Sequence, residues 1–166
     1  METETILTID GDVRHRLRLS YAQLAALAAH AQHPDVSRLD PRRSGRGVSL
    51  AAILELAEAL PAAAWLTLHA GKDDFHASVP LAAVREQGVL IYGLGGGPLP
   101  AEAGGPIRFL IPDHAACRTA DVDECANVKF VDRIELSRTR GQDNRPQAEA
   151  EHAALHARQQ EHPPAR

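Results

Sequence analysis

Three groups of side chains in this sequence can bind or react. The first is His114, Cys117 and Cys125, in the run PDHAACRTADVDECANVK. Zinc accepts His and Cys together, and Asp113, Asp121, Asp123 or Glu124 could supply a fourth ligand. The spacing is not that of a zinc finger. The same two cysteines can pair as a disulfide or sit as small buried thiols, and a reducing cytoplasm favours the thiol form. The second group is His69 and His76, which flank the turn Gly71-Lys72-Asp73-Asp74. If the strands on either side pair as a hairpin, the imidazoles come close together beside carboxylates. That setting suits metal binding or proton shuttling; the plainer reading is two exposed histidines at a hairpin end. The third group is the loop His33–Gly47 with Arg38, Arg42, Arg43 and Arg46. Guanidinium forks match phosphate oxygens, and the plainer reading is a solvated basic loop. The chain has no Ser/His/Asp nucleophile signature and no phosphate-binding P-loop.

The elements that must position these groups are short. Thr3–Ile9 reads as a strand ending at the turn Asp10-Gly11-Asp12. Val13–Leu19 alternates cleanly, with Arg14, Arg16 and Arg18 on the outward side, and reads as a half-buried strand. Ser20 and Gln23 predict a capping box at the head of a first helix. Ser49 is placed to cap a second helix, Leu50–Leu60, stopped by Pro61. Ala64–His69 and Phe75–Val79 read as strands, and Pro80 opens a short helix that Gly88 ends. Val89–Leu94 is apolar on both faces, as a central strand is, and Gly95-Gly96-Gly97-Pro98 breaks it. Pro106–Ile111 and Asn127–Leu136 supply the last strands; Gly104-Gly105 before them reads as a tight backbone path. Too few helices separate the strands for a regular parallel wind. The expected class is α+β, with a mixed, partly barrel-like sheet and a few short helices.

Of the 166 residues, 44% are hydrophobic but only 4% aromatic, so the core must be aliphatic. From Thr139 to Arg166 the only large apolar residue is Leu155. Such a segment cannot bury enough surface to offset its ordering entropy. The expected domain is therefore 1–138, followed by a disordered tail, 139–166. A net charge of -4 argues against nucleic-acid binding. No apolar run reaches the ~20 residues that span a bilayer, and the acidic N-terminus is not a secretory signal. The expected location is cytoplasmic.

Several phrases occur in a recognisable order: LTIDGDV from Leu7, LRLSYAQL from Leu17, GVSLAAIL from Gly47, DDFHASVPL from Asp73, GGGPLPAEAGGPIRFLIP from Gly95 and NVKFVDRIEL from Asn127. Over almost all of residues 5–137 the chain resembles the molybdopterin-binding domain of the sulfite oxidase family of oxidoreductases. The resemblance implies an oxidoreductase that binds a molybdopterin-type cofactor, together with a small-molecule substrate and a redox partner protein. It also implies that Arg108 and Lys129, with Arg38, Arg42 and Arg43, hold the anionic parts of the cofactor. In the family, the pterin dithiolene and one cysteine thiolate hold the metal, and that cysteine lies in the loop between the first two helices. Here that loop is His33–Gly47, which has no cysteine; Ser37 lies near the position. Two alternatives follow. One is a non-catalytic binding or scaffold relative that has lost the metal. The other is a Cys/His metal-binding module at His114, Cys117 and Cys125, with zinc at the two cysteines, or a redox role for that loop.

Overall fold

Alternation along the strands sorts apolar residues to one face and polar ones to the other, and two sheets result. The protein is seen here as a computed structural model that describes residues 4–113, 122–123 and 126–145. Along the chain these residues form β1 (Thr5–Gly11), β2 (Leu17–Ser20), α1 (Tyr21–Ala25), β3 (Gln32–His33), β4 (Arg46–Ser49), α2 (Leu50–Ala57), β5 (Trp65–Ala70), β6 (Phe75–Pro80), α3 (Leu81–Val84), β7 (Val89–Leu94), β8 (Gly97–Pro98), β9 (Arg108–Leu110) and β10 (Arg133–Ser137). The first sheet runs β2-β1-β10-β5-β6. Its β1–β10 pairing is parallel and the others are antiparallel. The second sheet runs β3-β4-β7-β8, with β9 also paired to β7. The expected α+β class and mixed sheet are present, but neither sheet closes, so the barrel-like expectation is corrected to two open sheets.

The core is aliphatic, as composition requires. Leu7, Ile9, Leu66, Leu68, Ala77, Val79, Ile134 and Leu136 project from one face of the first sheet. They pack with Ile53 and Leu54 of α2 and Leu90 and Tyr92 of β7. Full burial of each large aliphatic side chain contributes roughly 1.5–3 kcal/mol. The expected capping box is formed: Gln23 N–H donates to Ser20 Oγ at 3.2 Å, and Ser20 N–H to Gln23 Oε1 at 2.9 Å. Ser49 does not cap α2; its hydroxyl meets His33 Nε2 at 2.9 Å. The helix ends before Leu60, because Glu58 turns left-handed at φ 54°.

The expected fold boundary at Arg138 falls short of the packed chain. Thr139–Arg145 runs as a strap over the outer face of the first sheet and along its edge strand β6. Gly141 N–H donates to Ser78 Oγ at 2.9 Å, and Ser78 N–H to Asp143 Oδ2 at 3.1 Å. Asn144 N–H donates to the His76 carbonyl at 3.0 Å, and Arg145 Nη2 to the Ser78 carbonyl at 2.9 Å. Arg145 is only 4% exposed. The strap holds no large apolar residue, so a reading based on hydrophobicity ends the fold too early; hydrogen bonds and a buried ion pair hold it instead.

Candidate functional site

The loop between β3 and β4 is anchored by one apolar side chain and one carboxylate. Val36 is fully buried against Val89, Ile91, Leu99 and Leu110 on the outer face of the second sheet. Its N–H donates to the Gly45 carbonyl at 3.0 Å, which closes the loop. Asp40, 5% exposed, accepts from Arg42 N–H at 3.0 Å, Nε at 3.2 Å and Nη2 at 3.3 Å. These hydrogen bonds outweigh burial and hold its carboxyl below the usual carboxylate range. Arg43 N–H donates to the Asp40 carbonyl at 2.9 Å, so the Asp40 turn also sets where Arg43 starts.

Arg108 reaches the same region from the sheet. It pairs across with Ile91, and strand alternation puts it on the face that carries Leu110. Lys129 is brought alongside by Phe130, which adopts φ 60° and donates its N–H to the Gly104 carbonyl at 2.8 Å. Gly104 has φ 102°, and a Cβ there would meet Arg108 Cδ at 3.3 Å and Lys129 Cγ at 3.4 Å. Both basic stems thus lie against a bare Cα.

Arg43, Arg108 and Lys129 repel one another. Burial, and then the charge of Arg43, lower the Arg108 pKa, with Asp40 opposing. Lys129 still reaches solvent, yet burial of its inner part, followed by the charges of Arg108 and Arg43, lowers its pKa against the pull of Asp73. The Nε atoms of both Arg43 and Arg108 are buried without a hydrogen-bond partner. An unsatisfied buried donor costs about 1–3 kcal/mol, and more when charged. The Asp40 carboxylate does not relieve this, because Arg42 already engages it. A bound anion would supply both the missing acceptors and the missing charge.

The structure therefore joins three of the five sequence-expected cofactor residues, Arg43, Arg108 and Lys129. Arg42 is turned to Asp40, and Arg38 is exposed with its charge acting on Asp35. Arg46 lies 5.8 Å over the Tyr92 ring and lines a cavity of about 480 Å³ with Tyr21, Pro34, Asp35 and Gly93. Ser37 donates its hydroxyl to Asp35 Oδ1 at 2.5 Å. His69 and His76 are cross-strand partners, 6% and 8% exposed, which overturns the exposed-hairpin reading. His114, Cys117 and Cys125 lie outside the described residues, and among the described residues no three metal-ligating side chains converge. Asp40, hidden among arginines, escaped the sequence reading, and Gly104, read there only as part of a tight backbone path, also makes room for two cations by its missing side chain.

Comparison with known proteins gives the family. Residues 45–145, more than half of the chain, match the family described as the oxidoreductase molybdopterin binding domain. The chain belongs to that family. No curated protein matches it. Among solved structures, it is similar to the sulfane dehydrogenase SoxCD from Paracoccus pantotrophus, at TM-score 0.58 and 18% identity. That match covers 81% of this chain but only 38% of the SoxCD chain, and at this identity it shows the fold. No helix among the described residues is long and apolar enough to cross a membrane.

Proposed function

We propose that Arg43, Arg108 and Lys129 bind the anionic end of a molybdopterin-type cofactor, and that the domain serves an oxidoreductase through it. One observation carries this reading: two arginine Nε atoms are buried and unpartnered within a cluster of three like charges. The cavity beside Arg46 offers room for the body of the ligand. Gly93, which lines it, is two residues along β7 from Ile91, the partner of Arg108, a step of roughly 7 Å. When bound, such a cofactor supplies molybdenum redox chemistry on a small-molecule substrate, with electrons passed to a redox partner protein.

The donor set fits the phosphate of the group better than its metal. Molybdenum prefers soft sulfur donors, and both cysteines of the chain lie outside the described residues. The Ser37 hydroxyl is hard and already committed to Asp35. This favours, as a second reading, a relative that holds the pterin or another anion without metal catalysis. Zinc at Cys117 and Cys125 is a separate proposal that the described residues neither help nor oppose.

The test is to express wild-type and Arg108→Met proteins in a host that makes the cofactor, then assay both for molybdenum and released pterin. The account expects pterin with the wild type and its loss from the variant. Molybdenum accompanying the pterin selects the oxidoreductase, and pterin without molybdenum selects the second reading. Absence of pterin from the wild type, or equal pterin in both proteins, contradicts the proposal.

A further inference from the structure

The outer face of the first sheet carries a chain of four titratable side chains: Glu135 from β10, His69 from β5, His76 from β6 and Asp74 from the turn between β5 and β6. His69 Nε2 is 3.0 Å from Glu135 Oε1, and His76 Nε2 is 2.8 Å from Asp74 Oδ1. The two Nδ1 atoms are 2.7 Å apart, with the rings edge-on at 4.9 Å between centroids. An ionised carboxylate only accepts hydrogen bonds, so each outer nitrogen must carry a hydrogen. In the Nε2–H tautomer that these carboxylates favour, the two Nδ1 lone pairs face each other. Two lone pairs at that separation repel unless a cation lies between them.

The distance argues for a proton over a metal ion. A tetrahedral zinc ion, bonded to nitrogen at about 2.0–2.1 Å, would hold the two Nδ1 atoms roughly 3.3 Å apart. A separation of 2.7 Å is that of a short hydrogen bond instead. We propose that His69 and His76 share one bridging proton, forming an imidazole–imidazolium pair between two carboxylates, and that this proton makes docking of the strap pH-dependent. The other groups around the pair are consistent with one retained positive charge. Arg133 Nη2 lies 3.5 Å from Glu135 Oε2, with its Nε on Asp10. Asp132 takes the Gly71 N–H, and Lys72 sits over the Phe130 ring. On the strap side Asn144 is neutral, Asp143 pairs with both Arg140 and Arg145, and Asp123 lies on the far side of Arg145.

The sign of the pH effect follows from counting protons. The folded pair holds one. In the unfolded chain two free imidazoles go from two protons to none as pH rises through about 6.5. On the acid side the unfolded chain binds more protons, so stability rises with pH; on the alkaline side the folded pair binds more, so stability falls. The contribution therefore peaks where the unfolded pair holds one proton. In acid, a second proton sets N–H against N–H and pushes His76 away. The His76 N–H donates to Asn144 Oδ1 at 2.8 Å, and Asn144 Nδ2 donates to the Asp74 carbonyl at 2.7 Å, so the strap loosens with it.

The experiment measures protons exchanged on unfolding of the full chain, for the wild type and the H69Q/H76Q double variant. Relative to the variant, the wild type should take up about one extra proton at about pH 5.5 and release about one at about pH 8. Nitrogen NMR of the wild type removes any dependence on the variant folding. Both Nδ1 shifts should lie between the protonated and bare values at neutral pH, and the Asn144 amide should exchange faster in acid. Two histidines with bare Nδ1 at neutral pH overturn the proposal. So does a stoichiometric metal ion retained through dialysis, or identical proton counts in the two proteins.

Discussion

At the strap, Asp143 and Arg145 face each other at 2.7 Å, with side chains only 5% and 3% exposed. Burial alone would raise the Asp143 pKa, but the hydrogen bonds from Arg145 more than reverse it, and the pKa is held below the usual range. Arg145 is affected in the opposite sense: burial lowers its pKa and the bonds to Asp143 more than restore it. Behind the loop between β3 and β4, the same physics has a different outcome. There Arg43, Arg108 and Lys129 lie within electrostatic reach of one another, and two of their nitrogens are buried without acceptors. At the strap every buried charge has a partner: Asp143 takes Arg140 and Arg145, and Arg145 also reaches Asp123. The loop site leaves an imbalance whose sign and geometry describe an anion. The paired charges hold the chain in place; the unpaired, like-signed ones are the ground for proposing a ligand.

The most disruptive change should be at the strap. Arg145→Met removes the buried partner of Asp143 and leaves only the half-exposed Arg140, at 3.2 Å, as its cation. Breaking a buried pair typically costs about 3–5 kcal/mol, and the remaining contact puts this change toward the lower end. Urea unfolding should show a loss of that order, with anion binding retained by the protein that remains folded. Because the folded Asp143 pKa is depressed, its contribution is complete above the unfolded value of about 3.9 and fades as pH falls through the folded value. That acid loss should be missing from Asp143→Asn, which is already destabilised at neutral pH.

Asp40→Asn should separate stability from affinity. It weakens hydrogen bonds to a charged partner, each worth about 1.5–3 kcal/mol, so the urea midpoint should fall. It also removes the negative charge that acts on Arg108, so pyrophosphate should bind more tightly. A variant that lost both stability and affinity would make Asp40 part of the anion site itself. Arg108→Met and Lys129→Met should show the reverse pattern. Each relieves repulsion between like charges, so without ligand the midpoint should hold or rise, while anion affinity falls. Arg38→Ala, at an exposed position, should stay within about 0.5 kcal/mol and leave anion binding unchanged.

The contrast between the two regions also explains what the sequence revealed. Elements of strong period were legible: β5, β6 and β7 lie where alternation and apolar runs put them, and Ser20 with Gln23 announced the start of α1. The pairing of β3 with β4 was not, because Gln32↔Val48 and His33↔Gly47 span two residues each and have no period to detect. The strap was missed for a different reason, since its anchors are polar and hydropathy does not register them. Within the proposed site, residue type and family resemblance single out Arg43, Arg108 and Lys129 along with Arg38 and Arg42. Equivalent-looking Arg38 and Arg42 were not distinguishable from the other three, because what separates them is tertiary: Arg42 is held by the buried carboxylate of Asp40, and Arg38 is exposed beside Asp35.

The central claim is that the unpaired cluster is an anion site, and a calorimetric titration of the full chain with inorganic pyrophosphate tests it most directly. Wild type, Arg108→Met and Arg145→Met should be compared at two salt concentrations. One saturable site is expected in the wild type, weakened by salt, lost in Arg108→Met and kept in Arg145→Met. No saturable binding by the wild type, or equal binding by Arg108→Met, would contradict it.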